Sequence, residues 1–148
     1  MEAVVLYDSN YGNTKTIAET ISGSLTGMAA KAVPVTSFNA QELQAGDLLV
    51  VGSPINGWRP TARITEALSS LDTDQLRGVR AAAFDTRLHI FIHGDAAKKI
   101  SKSLREHGAE IIAAPRAFYV QKSEGPLDAG EGEKASQWAD ALLRELVD

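Results

Sequence analysis

The sequence predicts a doubly wound α/β fold, a five-stranded parallel sheet with helices on both faces, in one domain over residues 1–148. Three observations point there. Short apolar runs alternate with segments of helical period along the whole chain, an order that calls for crossover helices between parallel strands. The stretch from Asp47 to Gly52 carries the unbroken apolar run Leu48-Leu49-Val50-Val51, as a strand covered on both sides must. The chain's 148 residues, 44% hydrophobic and 23% charged, are enough to bury one core without staples.

The first strand is Ala3-Val4-Val5-Leu6-Tyr7, and the helix after it places Ile17, Ile21, Leu25 and Met28 on one face. Ala32-Val33-Pro34-Val35 is a short second strand, whose Pro34 favours an edge because a missing N–H costs least there. The third strand, 47–52, runs into a loop, Ser53 to Pro60. A helix over roughly 60–70 follows, with Pro60 at an early position and Ile64 and Leu68 four apart. Val79 to Asp85 is the fourth strand, with Ala81-Ala82-Ala83 small enough to let helices pack closely. A loop from Thr86 to Gly94 precedes a helix carrying Ala97, Ile100 and Leu104. Glu110–Ala114 and Ala117–Val120 form a fifth strand interrupted at Pro115. A long polar connection from Ser123 to Gly132 leads to the last helix, marked by Ala135, Trp138, Ala139, Leu142 and Leu146.

Composition excludes several functions. With no cysteine there are no disulfides, thiolate metal sites or cysteine nucleophiles, so any redox chemistry must come from a cofactor. The longest apolar runs are far short of a membrane span, and the first strand begins by residue 3, which leaves no room for a signal peptide and predicts a cytoplasmic protein. A net charge of −4 without a basic block argues against nucleic acid or a membrane as partner.

The chemistry concentrates at the end of the first strand, in Asp8-Ser9-Asn10-Tyr11-Gly12-Asn13-Thr14-Lys15-Thr16. A strand, a Gly-containing turn and a helix start present free backbone N–H groups and the positive end of a helix dipole to one point, which suits a phosphate. Ser9, Thr14 and Thr16 offer hydroxyl donors, Asn10 and Asn13 amides, and Gly12 permits close approach. No Lys or Arg occurs in the loop before Lys15, so amides and hydroxyls would do the holding, as suits a resident cofactor rather than a transferable phosphate on magnesium. Neither the triphosphate loop G-x-x-x-x-G-K-[ST] nor G-x-G-x-x-G is present.

The run Ser9-Asn10-Tyr11-Gly12-Asn13-Thr14 resembles the FMN-phosphate loop of the flavodoxin family, [ST]-x-[TY]-G-[NS]-T. The resemblance implies the flavodoxin-like strand order 2-1-3-4-5, with a ligand beyond the carboxyl ends of the strands at the switch between strands 1 and 3. The loops after strands 3 and 4 extend it. Ser53-Pro54-Ile55-Asn56-Gly57 is similar to the loop beside the flavin ring, with Trp58 placed to cover one face or, alternatively, to cap the helix after Pro60. In flavodoxins a peptide of this loop rotates on reduction so that its carbonyl can accept from the flavin N5–H. Ala83-Phe84-Asp85-Thr86 and Gly94-Asp95-Ala96-Ala97-Lys98 resemble the segment after strand 4, which implies cofactor contacts from Asp85, Thr86, Arg87 and His89. His89 and Phe91 stand where many flavodoxins place a stacking tyrosine. Without a long insertion in the fifth strand, the likeness is to the short-chain type.

Other uses of these residues fit the sequence less well. A metal site at His89 and His93 needs a helix to bring the imidazoles together, and the segment reads as a loop. A Ser53-His89-Asp85 hydrolase lacks the G-x-S-x-G elbow. A phospho-acceptor domain would need paired acids after strand 1 and an Asp after strand 3, where Asp8 stands alone and Ser53 is found. The expected function is therefore electron transfer through noncovalently bound FMN to a redox partner protein, the alternative being an FMN-dependent oxidoreductase of the quinone-reductase type. A monomer or weak homodimer is expected. Arg59, Arg63, Arg87, His89 and His93, opposed only by Asp85 and Asp95, predict a positive surround for the ring and a partner anionic at the contact.

Overall fold

The structure is a computed structural model that describes residues 1–90 and 94–147. Six strands and four α-helices are seen among them: β1 Glu2–Tyr7, α1 Asn13–Ser24, β2 Ala29–Pro34, β3 Leu48–Pro54, α2 Ala62–Ser69, β4 Arg80–Leu88, α3 Ala96–Glu106, β5 Glu110–Ile111, β6 Arg116–Val120 and α4 Glu131–Val147. All pairings between these strands are parallel, in the order β2-β1-β3-β4-β5, with β6 also on β4. The expected order 2-1-3-4-5 is thus found.

The interrupted fifth strand is also found, as β5 and β6 on one edge of β4. From Ala81 to Phe84 is three steps along β4, whereas their partners Ile111 and Arg116 are five steps apart, so two extra residues bulge out around Pro115. Proline cannot donate to the ladder, which is why the edge is where the interruption is tolerated.

Side chains alternate between two cores, as the period of a strand requires. Val5 and Phe84 face α1 and α4, packing with Ile17, Ile21, Phe118, Trp138 and Leu142. Leu6, Leu49 and Val51 face α2 and α3, packing with Ile64, Leu68, Ile100 and Leu104. Gly52 sits against the Phe84 ring, where a Cβ would lie 2.0 Å from Cζ.

Several boundaries differ from expectation: β2 starts at Ala29, β3 runs on to Pro54 and β5 stops at Ile111, and three further shifts have a physical cause in the structure. The first helix ends at Ser24 rather than running to Met28, since the chain turns through Leu25 and Gly27 (φ +82°), and Met28 packs on the core from outside the helix. Val35 leaves the second strand for a 3₁₀ turn, Val35–Ser37, directly after Pro34, which does lie on the edge strand. β4 continues through Thr86, Arg87 and Leu88 instead of ending at Asp85, because β6 supplies Phe118, Tyr119 and Val120 as ladder partners. No local pattern announces that pairing. Among the described residues no helix is long and apolar enough to cross a membrane.

Candidate cofactor site

At the carboxyl ends of β1, β3 and β4 lies a cavity of about 430 Å³. The volume is in the range of small-molecule and cofactor sites. Its first wall is the loop after β1. Gly12 caps α1 with φ +94°, a conformation that favours glycine, and no side chain caps the helix. The first hydrogen bond of the helix is Thr16 N–H to Gly12 C=O at 3.0 Å. The N–H groups of Asn13, Thr14 and Lys15 therefore have no intrahelical acceptor. Ser9 Oγ accepts from Gly12 N–H at 2.9 Å and keeps its own proton for donation. Thr14, almost fully buried, shares a 2.9 Å hydrogen bond with Thr86 on β4. Ser9, Asn10, Tyr11, Asn13 and Thr14 all line the cavity, whereas the hydroxyl of Thr16 is committed to Gly12 C=O at 2.9 Å.

The second wall is a tight hairpin. Asn56 and Arg59 exchange two backbone hydrogen bonds, 2.7 and 3.1 Å, across Gly57 (φ +54°) and Trp58 (φ +74°). Both central residues at positive φ make this a type I′ turn. Asn10 Nδ2 donates to Asn56 Oδ1 at 3.0 Å and ties the first loop to it. Pro54, Ile55, Asn56, Gly57 and Trp58 line the cavity. Trp58, more than half exposed, does not cap α2; Thr61 does, accepting from Ile64 N–H. Gly94 presses on the turn from outside, so that a Cβ there would fall 2.6 Å from the Trp58 Cα and carbonyl oxygen.

Thr86 and Arg87 line the third wall, joined by Leu88 and Ile90. Arg87 is held by a fully buried Asp85, through Nε at 2.8 Å and Nη2 at 2.6 Å, and by Asp95 at 3.2 Å. Asp85 also accepts from Ala97 N–H at 2.9 Å, and Asp95 caps α3 by accepting from Lys98 N–H. The Arg87 pKa is raised above its ordinary value, first by its hydrogen bond to Asp85, against the opposing effect of burial and with added attraction from Asp85, Asp95 and Tyr119.

Several residues expected at the cofactor lie outside the cavity lining or outside the described residues. Ser53 is fully buried and braces its own loop, accepting from Thr61 N–H at 2.9 Å and donating to Pro54 C=O at 2.7 Å, so it does not line the cavity. Asp85 stands behind Arg87 rather than at the surface of the cavity. His89 stacks on Tyr119, rings 4.3 Å apart and 12° from parallel, and pairs with Asp128. It too is outside the lining. Gly12 shapes the first loop without lining the cavity. Phe91 and His93 lie outside the described residues.

The expected positive surround is largely neutralised. Arg63 forms a two-point pair with the buried Asp8, Nε to Oδ2 at 3.0 Å and Nη2 to Oδ1 at 2.9 Å. Arg87 has two carboxylates, and His89 has one. Of the named arginines only Arg59 has no ion pair among the described residues. Asp8 and Asp128 come from elements distant in sequence, so the charge balance is not legible loop by loop.

A fourth wall has no counterpart among the loops that the sequence singles out. Val120 and Ser123 line the cavity from β6 and the connection after it. Gly125 (φ +106°) packs against Asn13, where a Cβ would fall 2.8 Å from Oδ1. The connection reads as polar and featureless in sequence, and of its three glycines Gly125 and Gly130 take positive φ.

Fold and site together define a class: a doubly wound domain with a cavity at its topological switch point, between a hydroxyl-rich helix start and an exposed aromatic turn. The chain matches the Flavodoxin family model over residues 5–143 and belongs to the flavodoxin family. Its fold is similar to that of an archaeal flavodoxin, with a TM-score of 0.81, 18% identity and 100% coverage of both chains. Flavodoxin 2 of Bacillus cereus superposes with a TM-score of 0.77 at 23% identity, over 98% of this chain and 99% of that one. Rubredoxin oxygen:oxidoreductase of Desulfovibrio gigas matches with a TM-score of 0.78 at 21% identity, over 99% of this chain but 36% of its own. No curated protein sequence matches the chain. Membership makes it a flavin-binding protein that transfers electrons to partner proteins.

Proposed function

We propose that the cavity binds FMN noncovalently, one per chain, and that the protein passes electrons between this flavin and a redox partner protein. The observation that carries the reading is the uncapped start of α1, whose free N–H groups at Asn13, Thr14 and Lys15 adjoin the Ser9 and Thr14 hydroxyls at one end of the cavity. At the other end Trp58 and Ile90 are more than half exposed, as is Tyr11. A polar terminus and an apolar opposite end match a phosphate ester on a planar aromatic ring.

The bound flavin would supply the reversible uptake and release of electrons. The chain's own residues bind and orient it. The α1 amides and the Ser9 hydroxyl hold the dianion without a neutralising cation in the loop. Thr86 fixes the rotamer of Thr14, and Asn10 holds the Asn56 turn at a set distance. The exposed rim residues Tyr11, Trp58 and Ile90 would leave an edge of the bound group within reach of the partner.

The test compares FMN with riboflavin, which has the ring and lacks the phosphate. FMN binds one to one and riboflavin much more weakly. Ser9→Ala together with Thr14→Ala weakens FMN by about 1.5–3 kcal/mol for each charge-assisted hydrogen bond lost, with little effect on riboflavin. Equal affinities for the two flavins in the wild type would end this assignment.

A further inference from the structure

Arg87 is the arginine that lines the cavity, and its geometry is unusual for a surface loop cation. The side chain is only 11% exposed, although it comes from the last turn of the ladder in β4. Asp85 engages Nε and Nη2, and Asp95 engages Nη2 again. Nη1, with two N–H donors, takes part in none of the hydrogen bonds of the described residues. It is also absent from the fully buried unsatisfied atoms among them, so it keeps some exposure, on a side chain that lines the cavity. A guanidinium clamped by two carboxylates, with one amino group free at a cavity wall, is a preorganised donor.

Strand alternation says which end of the ligand it meets. Thr86 points to Thr14 and the phosphate loop. Arg87, next along β4, points to the opposite face of the sheet with Asp85, toward the start of α3. On that side Gly94 abuts the Trp58 backbone. The anion-binding end is already furnished with amides and hydroxyls.

We propose that Arg87 is the residue that recognises the cofactor's ring rather than its phosphate, donating from Nη1 to a carbonyl or nitrogen acceptor on the pyrimidine edge and favouring the ring when it is reduced and anionic. The inference rests on the FMN reading above. Asp85 and Asp95 are positioning residues in this arrangement. They hold the fork in place from behind, so the charge presented to the ligand is positive although the cluster as a whole is not.

The experiment measures FMN and riboflavin affinities, and the reduction potential of the FMN complex, in wild type, Arg87→Gln and Arg87→Lys. Because Arg87→Gln leaves a buried carboxylate unpaired, the double variant Asp85→Asn with Arg87→Gln is measured beside it; there the residue 85 amide oxygen can still accept from Ala97 N–H. The expected result is a loss of about tenfold or more in affinity for FMN and riboflavin alike, the worth of one charge-assisted hydrogen bond. The potential of the complex becomes more negative, and Arg87→Lys restores the potential better than it restores the affinity. Loss of FMN affinity with riboflavin and the potential unchanged would overturn the proposal in favour of a phosphate contact. Unchanged affinities and potential in the single and double variants would overturn it in favour of a purely structural clamp. A wild-type protein that binds FMN no better than riboflavin would strike the FMN reading itself, a result distinct from either.

Discussion

At the scale of single residues the site depends on close approaches that only glycine allows. Gly94 is the sharpest case, with φ +61° and no room for a Cβ beside the Trp58 backbone. Gly94→Ala must either strain residue 94 or push the type I′ turn toward the cavity. The left-handed conformation alone costs a non-glycine residue about 1–2 kcal/mol. We expect Gly94→Ala to lower stability in urea by at least that amount and to weaken FMN binding severalfold through the displaced turn. Full stability with unaltered affinity would show that the two loops move independently.

At the scale of elements, the cavity walls are cross-braced in pairs. Asn10 joins the first loop to the turn after β3, Thr14 joins α1 to β4, and Arg63 on α2 reaches back to Asp8 at the end of β1. The last engages the carboxylate at two points, a hydrogen bond from Nε and a 2.9 Å ion-pair contact from Nη2, and that carboxylate is 6% exposed and also accepts from Ser9 N–H at 2.9 Å. An exposed ion pair would be worth under about 1 kcal/mol. Here Arg63→Ala leaves a buried carboxylate short of donors, and the expected loss is about 1–2 kcal/mol. Because Asp8 positions Ser9, FMN affinity falls with it. Riboflavin binding, which does not use the phosphate loop, serves as the control and changes less. A drop confined to stability would mean that Arg63 anchors α2 alone.

At the scale of the whole molecule, one aromatic contact couples the sheet to the α1 and α4 face. Phe84 meets Phe118 and Trp138 edge to face, with centroids 5.8 and 6.1 Å away, and its ring fills the space above Gly52. Gly52→Ala would bring a Cβ to 2.0 Å of a ring that is fully buried and already packed on Phe118 and Trp138. Overpacking of this kind costs about 1–3 kcal/mol or more. We expect a melting temperature lower by several degrees, with part of the loss recovered when Gly52→Ala is combined with Phe84→Leu. A Gly52→Ala protein as stable as wild type would place the flexibility of the sheet well above what the packing shows. Saturating FMN should raise stability in each variant that still binds it, by about 2.7 kcal/mol at a hundred times the dissociation constant.

The sequence by itself determined the alternation of strands and helices, the edge position of Pro34, the interruption at Pro115 and the glycine-capped loop before α1, because each is written in residues adjacent along the chain. Periodicity, a missing N–H and a glycine at positive φ act locally. Only the tertiary structure decided that β4 runs on to Leu88, that Ser53 and Asp85 brace rather than line the cavity, and that Val120 and Ser123 complete it. The same holds for charge: Arg63 meets Asp8 and His89 meets Asp128 across 55 and 39 positions of sequence. Hydrogen bonds and ion pairs act over a few ångströms in space, and nothing in a local pattern states which distant segment the fold will bring within that reach.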